Sequence, residues 1–124
     1  MNTYIYFIIS LIQYSWDRLT SYCNSYNGEV LLLLHHFLGV YLYFGAFLFN
    51  NVYHLITILI VLIHWIINKH CEITTITNKL CGYKQGKKFQ DFFQKLNMYK
   101  IHKHIHYIYI TFLIVYDLCK INYL

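Results

Sequence analysis

The feature that most constrains this chain is residues 30–67, a long apolar stretch with no Asp, Glu, Lys or Arg. Apart from the paired histidines His35-His36, Asn50-Asn51 is the one place in this stretch where two polar residues are adjacent. Asn tolerates the backbone conformations of tight turns. Because about 20 apolar residues are enough to cross a bilayer as a helix, residues 30–49 and 52–67 predict two antiparallel spans. The stretch therefore predicts a helical hairpin inside a membrane.

The composition of the whole chain agrees with a membrane protein. Of its 124 residues, 58% are hydrophobic and only 12% are charged, whereas soluble domains usually contain about 25% charged residues. These values exclude a disordered chain and a highly charged soluble domain. The length also excludes a large two-domain enzyme. We therefore expect a single membrane domain over residues 1–124, an all-α transmembrane helical bundle of 3–4 spans.

Two shorter apolar segments flank this central region. Residues 4–16 would span about 20 Å as a helix, against a hydrocarbon core of about 30 Å. This segment is marginal, and it crosses the bilayer, lies at its surface or packs on the bundle, with Asp17 and Arg18 at its end. Residues 105–118 are also short, but Lys103 and Lys120 flank them and can reach the headgroups. They predict the last span, and Asp117 is expected to be solvated at its end.

Residues 68–104 are polar and basic. Within them, apolar side chains recur at helical spacing and predict an interfacial amphipathic helix near 88–100, with a helix packed on a soluble partner as the alternative. The net charge of +5 then indicates anionic lipid headgroups rather than nucleic acid as the partner. The predicted membrane-surface residues are Lys87, Lys88, Lys95, Lys100 and Lys103.

The orientation follows from where the basic residues lie. Under the predicted spans, loops 17–29 and 68–104 share one side of the membrane and contain all basic residues except Lys120. The positive-inside rule therefore predicts that loop 68–104 is cytoplasmic. The cysteines contain no C-x-x-C pair, and Cys119 falls on the opposite side from the other three, so a disulfide framework is not expected.

Histidines in the hairpin are the candidate functional residues. His35 and His36 precede the turn by nearly as many residues as His64 follows it, so all three lie roughly 20–23 Å from the turn. On the outgoing helix, Gly39, Gly45 and Ala46 are small enough for close helix packing. On the returning helix, a polar stripe continues from His64 through Asn68 and Cys71.

Three interpretations of these histidines remain open. They are neutral groups that hydrogen-bond between helices, or ligands of haem iron or a transition metal, or members of a proton relay or pore in a small oligomeric channel. His54 is expected to face Phe47 and not another histidine, which disfavours a bundle with two haems. The sequence has no nucleophile, phosphate-binding or metalloprotease motif, which favours a non-enzymatic protein.

From the hairpin onward the chain has a pattern of spaced residues: His36, Gly45, His54, Trp65, Cys71, Thr74, Asn78, Leu80 and Gly82. This pattern resembles a bacterial family of small, uncharacterised integral membrane proteins, which has His, Gly, His and Trp followed by Cys-x-Leu-Thr and then by Asn, Leu and Gly. The chain departs from that family at Glu72, Ile73 and Thr77. Its paired histidines and its composition, rich in residues with AT-rich codons, are also similar to short membrane proteins of large DNA viruses.

The resemblance implies a turn at the cytoplasmic end of the returning helix. In this turn, Thr74 and Thr75 would satisfy backbone groups and Asn78 would fold back into the loop, with Cys71 beside His64. The function expected from the sequence is a structural or assembly component of a membrane, of viral origin. Its expected partners are the bilayer and a second copy or other membrane proteins. A haem- or metal-binding redox protein and an oligomeric channel are the alternatives.

Overall fold

A computed structural model describes residues 2–20, 23, 25–68, 72–82 and 104–123. These residues form helices and contain no strand, so the all-α prediction is confirmed. The helices are α1 (Asn2–Thr20), α2 (Tyr26–Leu48), α3 (Asn51–Asn68), α4 (Glu72–Cys81) and α5 (Ile105–Tyr123).

The predicted hairpin is present, and local capping explains its limits. Ser25 precedes α2, and its hydroxyl accepts a hydrogen bond from the Gly28 amide, a standard N-cap contact. At the turn, Phe49 adopts an extended backbone, which ends α2. The Asn50 side-chain oxygen then accepts hydrogen bonds from the first amides of α3, those of Val52 and Tyr53. The Asn50-Asn51 break therefore works as a helix cap.

The central helix is α2, which packs against each of the other four helices. Helix α1 runs antiparallel to it, since Asn2 bonds the Leu48 carbonyl and Arg18 pairs with Glu29. Helix α5 runs antiparallel to α3 and packs beside it. The antiparallel hairpin and the packing of α4 on α2 place the start of α2, the end of α3 and α4 together. We call this the disulfide end of the bundle, and the end at Asn50-Asn51 the turn end.

Helix α1 is longer than the apolar segment 4–16 from which it was predicted. It continues through Asp17 and Arg18, which were expected to end it. Both charges have partners on α2, because Asp17 bonds His36 and Arg18 pairs with Glu29. A charge that has a partner on a neighbouring helix does not have to leave the helix for water, so the helix extends about one turn beyond residue 16.

The region 68–104 also differs from its prediction as a loop. Residues 72–81 form α4, so Thr74, Thr75 and Asn78 lie within a helix and the predicted capping turn is wrong. The last residue of α4, Cys81, forms a disulfide with Cys23, although no disulfide was expected. The predicted interfacial helix near 88–100, with Lys87, Lys88, Lys95, Lys100 and Lys103, lies outside the described residues.

The apolar core is small and lies between α2, α3 and α5. Around it, several of the fully buried side chains are polar, among them Ser10, Asp17, His36 and His54. Large apolar side chains are exposed on the outer surfaces of the helices, for example Ile12 at 62%. The core side chains are Leu42, Tyr43, Ala46, Ile58, Ile110 and Leu113.

Among the helices that the structure describes, α2 and α3 are long and apolar enough, by length and composition, to cross a membrane. The two helices differ in their surroundings. In the apolar 18-residue stretch of each helix, 44% of the residues of α2 are buried inside the bundle, but only 11% of those of α3. Helix α3 therefore presents most of its apolar surface to the outside of the bundle.

Candidate functional site

Two buried imidazole–carboxylate pairs are the most distinctive chemical groups in the bundle. In the first pair, His36 of α2 contacts Asp17 of α1, and in the second pair, His54 of α3 contacts Asp117 of α5. All four side chains are fully buried. Buried ionisable groups are costly unless they are paired, so each pair is a candidate for a structural or chemical role.

The first pair has a defined arrangement of protons. The Nε2 atom of the Gln13 amide lies 2.9 Å from Nδ1 of His36 and can only donate, so Nδ1 accepts. The proton of a neutral ring is then on Nε2, which donates to Oδ2 of Asp17 at 2.9 Å. His36 is thereby oriented by two residues of α1 that are one helical turn apart.

These contacts belong to a polar seam, which we define as Asn2, Tyr6, Ser10, Gln13 and Asp17 of α1. Their spacing of three and four residues places them on one helix face, the face that packs against α2. At its start, the Asn2 amide donates to the Leu48 carbonyl at 2.8 Å, and further along the Tyr6 hydroxyl donates to the Phe37 carbonyl at 2.6 Å. Helix α1 is thus joined to α2 by hydrogen bonds along most of its length.

The second pair holds one more proton than the first. The Nε2 atom of His54 lies 2.9 Å from the Leu42 carbonyl oxygen, which can only accept, so Nε2 must donate. The Nδ1 atom lies 2.6 Å from Oδ2 of Asp117, and this contact requires a proton between the two atoms. The pair is therefore either imidazolium with carboxylate or neutral imidazole with carboxylic acid, and its net charge is zero in both forms.

Asn51 completes the second pair. Its side-chain amide donates to Oδ1 of Asp117 at 2.8 Å and to the Ala46 carbonyl at 2.9 Å. Both carboxyl oxygens of Asp117 are consequently engaged. The group connects α2, α3 and α5 next to the turn. The expectation that Asp117 is solvated at the end of a span is therefore wrong, because the carboxyl group faces the bundle.

Gly45 provides the space for His54. A Cβ atom at this position would lie 2.9 Å from Cδ2 of His54 and 3.0 Å from Cδ2 of Tyr41, closer than packed atoms tolerate. The expected facing of His54 by Phe47 is therefore wrong, because the ring packs over the backbone of α2 near Gly45. Gly45, which was predicted to allow close helix packing, thus leaves room for the His54 ring against α2.

The two pairs lie at different depths in the bundle. His36 and Leu42, whose carbonyl binds His54, are six positions apart on α2, which corresponds to about 9 Å along the helix axis. The second pair lies near the turn end, whereas the first lies near the middle of α2. They are therefore separate groups rather than one shared cluster.

The three histidines predicted as metal or haem candidates have separate environments. His36 belongs to the first pair, His35 contacts Thr74 of α4 at 3.3 Å between Nε2 and Oγ1, and His64 contacts Asn68 one turn along α3. The Asn68 amide lies 2.9 Å from Nδ1 of His64 and donates to it. The predicted His64–Asn68 stripe is present, but α3 ends at Asn68, and Cys71 lies outside the described residues.

Two further small residues of α2 have distinct packing roles. Ala46 lies in the apolar core, against residues of α3 and α5. A Cβ atom on Gly39 would meet only Nε2 of Gln13, at 3.9 Å, which is an ordinary contact. Gly39 is therefore not required by a close approach, whereas Gly45 is.

A metal or haem iron needs an imidazole nitrogen whose lone pair is available. Both nitrogens of His54 are engaged in hydrogen bonds, and Nδ1 of His36 and of His64 each accept one. In the part of the chain that the structure describes, no three His, Cys, Asp or Glu side chains are grouped so that they could hold a metal ion. In this arrangement His36, His54 and His64 offer no available lone pair to a metal or haem iron.

The two aspartates were missed as members of a site by reasoning from the sequence. Asp17 and Asp117 follow apolar segments and were interpreted as the polar ends of spans. A usable signal was present for Asp17, because Ser10 and Gln13 precede it at helical spacing on one face. Asp117 has no such polar stripe on α5, so its partner could be found only from the packing of α5 on α3.

Comparisons of this chain with protein-family models, with curated proteins and with solved structures find no match. The resemblances described from the sequence therefore stay predictions, and the site is interpreted from its geometry alone.

Proposed function

We propose that this chain is a multi-pass integral membrane protein with a structural, non-enzymatic role. In this proposal, α1, α2, α3 and α5 cross the bilayer, and the two imidazole–carboxylate pairs hold them in register. The observation that carries the proposal is the distribution of side chains: polar and ionisable groups are buried between the helices, and large apolar groups cover the outside.

This distribution is the reverse of what water favours. Soluble proteins rarely expose contiguous apolar patches of more than a few hundred Å². Here Ile60 and Ile67 of α3 are 63% and 71% exposed, and Phe112 and Val115 of α5 are 53% and 54% exposed. Lipid chains would cover such side chains without cost, so a bilayer is the surrounding that fits this surface.

Helix lengths support four crossings. Helices α1 and α5 have 19 residues each, α2 has 23 and α3 has 18. At 1.5 Å per residue they are about 27–34 Å long, close to the thickness of a hydrocarbon core of about 30 Å. The charges of α1 are near its end, where Asp17 pairs with His36 and Arg18 with Glu29, so they do not prevent insertion.

A structural role is supported by how the imidazoles are used. Both ring nitrogens of His36 and of His54 bind groups of neighbouring helices. Interhelical contacts of this type contribute roughly 0.6–2 kcal/mol each in membranes. Their directionality also selects one arrangement of helices whose outer surfaces are otherwise similar. The expected partners are a bilayer with anionic headgroups and either a second copy or other membrane proteins.

The decisive experiment places a charge on the outer surface of α3. In water, Ile60→Lys would replace an exposed apolar side chain by a charged one and would leave stability nearly unchanged or improve solubility. In a membrane, a lysine at the centre of a helix disfavours insertion by about 2.5–3.5 kcal/mol. We therefore expect Ile60→Lys to reduce the fraction of chain that resists extraction from membranes by alkaline carbonate.

The matched control is Ile67→Lys, which changes a similarly exposed isoleucine near the end of α3. A lysine there can extend its ammonium group to the headgroups, so normal insertion is expected. Equal carbonate resistance of the two variants would contradict the membrane proposal, as would recovery of the unmodified chain in the soluble fraction.

A visible spectrum and the metal content of the purified protein distinguish the structural role from the haem or metal alternative. The structural role predicts no Soret band and no stoichiometric metal. A Soret band that disappears in the variant His64→Ala would instead support a redox protein.

A further inference from the structure

The cysteines in the described part of the chain have different states at the two ends of the bundle. At the disulfide end, Cys23 and Cys81 are bonded and almost fully buried, with 3% and 0% exposure. Cys119 of α5 has a free, exposed thiol. It follows Asp117 by two residues, and Asp117 binds Asn51 at the turn, so Cys119 lies near the turn end.

The disulfide is built into the packing of α4 on α2. A Cβ atom on Gly28 would lie 2.8 Å from Sγ of Cys23, 2.9 Å from Sγ of Cys81 and 3.0 Å from the Cys81 backbone nitrogen. Only a glycine in the first turn of α2 leaves room for both sulfur atoms and for the end of α4. The bond joins residues that are 58 positions apart.

Burial also determines what this disulfide can do in the folded protein. Thiol–disulfide exchange requires a thiolate to reach a sulfur atom, and both sulfur atoms here are covered by α2 and α4. The bond therefore behaves as a permanent link and not as an exchange-active one. Such disulfides form and persist in oxidising compartments, whereas the cytosol keeps thiols reduced.

We infer that Cys23 and Cys81 are oxidised by a thiol–disulfide oxidase on the non-cytosolic side of the membrane. The disulfide end then faces that compartment, and the turn end with Cys119 faces the cytosol. This inference rests on the proposed membrane bundle, because only a bilayer separates the two ends into different compartments.

The chemistry is a disulfide exchange between the chain and the oxidase. One cysteine thiolate attacks the oxidase disulfide and forms a mixed disulfide, and the second thiolate then displaces the oxidase. The Sγ–Sγ bond of the chain forms while that of the oxidase breaks. Two electrons pass to the oxidase, which leaves as a dithiol after taking up the two protons. The exchange must precede the docking of α4, because docking buries both sulfur atoms.

This orientation is the opposite of the one that the basic residues predict. The positive-inside rule is a statistical preference for Lys and Arg in short cytoplasmic loops, and it places residues 68–104 in the cytosol. The disulfide is a covalent bond that the cytosolic thiol pool would oppose. We give the disulfide priority because a buried covalent bond needs an oxidising compartment at its end of the bundle, whereas the positive-inside rule expresses only a preference.

The test labels one free thiol at each end in the full chain, expressed in a bacterial inner membrane. Both reporters contain Cys71→Ser. The first keeps Cys119, and the second combines Cys119→Ser with Lys79→Cys, which places a thiol on the exposed surface of α4. A membrane-impermeant maleimide is added to intact spheroplasts and, separately, to permeabilised ones.

The expected result is that the Lys79→Cys reporter reacts in intact spheroplasts, whereas Cys119 reacts only after permeabilisation. The converse pattern, or equal reaction of both reporters in intact spheroplasts, overturns the orientation. Carbonate extraction of the same samples separates the two proposals. A chain that is extracted contradicts the membrane bundle itself, and a chain that is retained but labelled in the converse pattern contradicts only the orientation.

The state of the disulfide gives a second, independent readout. After acid quenching, a polyethylene-glycol maleimide should modify Cys23 and Cys81 only if the sample is first reduced. In a host that lacks the envelope thiol–disulfide oxidase, the chain should lose this protection. Protection that persists in that host, or thiols that are already reduced in the normal host, would overturn the inference.

Discussion

Replacing Asp117 is the most informative perturbation of the bundle, because one fully buried carboxyl group serves two helices. Its Oδ2 atom contacts Nδ1 of His54 at 2.6 Å and its Oδ1 atom accepts from Asn51 at 2.8 Å. The variant Asp117→Ala removes both contacts and leaves Nδ1 of His54 and one N–H of the Asn51 amide without this partner. The variant therefore tests directly whether the second pair stabilises the fold.

The expected magnitude follows from these two contacts. The strongest interhelical hydrogen bonds measured in membranes contribute about 1.7 kcal/mol each, so two of them give about 3 kcal/mol. This value agrees with the lower part of the range of about 3–5 kcal/mol for removing one partner of a buried ion pair. We expect the free energy of unfolding of Asp117→Ala to fall by about 3 kcal/mol, more than a hundredfold in the equilibrium constant.

The assay is reversible unfolding in mixed detergent micelles, with a denaturing detergent as the variable and tryptophan fluorescence as the signal. Trp65 of α3 lies against His106 of α5, with ring centroids 5.7 Å apart, so its emission reports the separation of these helices. The variant Asp117→Asn keeps one acceptor oxygen, and we expect it to lose about half as much stability as Asp117→Ala.

The matched control is Leu118→Ala, on the adjacent residue of α5, whose side chain is 44% exposed on the outer surface. It should change the free energy of unfolding by less than about 0.5 kcal/mol. A double-mutant cycle with His54→Ala should show coupling, because the two changes remove the same contact. Additive effects, or an Asp117→Ala variant as stable as the control, would refute the reasoning about the second pair.

The other predictions concern the helix contacts near α2. The variant Gly45→Ala should lower the free energy of unfolding by about 1–3 kcal/mol, because the added methyl group displaces the His54 ring. Gly39→Ala, whose added Cβ atom would make only an ordinary contact with Gln13, should leave stability unchanged or raise it by up to about 1 kcal/mol. Equal losses in these two variants would contradict the packing argument. Nitrogen-15 NMR of the ring should find the proton of His36 on Nε2, whereas a proton on Nδ1 would be incompatible with the Gln13 contact. Asp17→Asn keeps an acceptor oxygen for Nε2 of His36 but removes the charge of the carboxylate. Thermal unfolding in detergent should therefore show a free energy of unfolding that is lower by about 1–2 kcal/mol. An unchanged melting temperature would exclude an energetic role for the first pair.

Part of the architecture could be predicted from local sequence. The Asn50-Asn51 break and its uncharged flanks predicted the hairpin of α2 and α3, because apolar length and turn propensity are local properties. Boundaries at Asp17 and within 68–104 were predicted less well. There, tertiary partners overrode the local preference of charged and polar residues. Asp17 accepts a hydrogen bond from His36 of α2, and α4 packs on α2, where Cys81 forms the disulfide with Cys23.

The sequence by itself therefore determined that the chain is helical, that it turns at Asn50-Asn51 and that its histidines fall among apolar residues. Only the tertiary structure decided that His36 meets Asp17, that His54 meets Asp117 and that Cys23 meets Cys81. The physical reason is that each of these contacts joins two different helices or their ends. Which faces of two helices meet depends on how all helices of the bundle pack together, and the order of residues along one helix does not specify that.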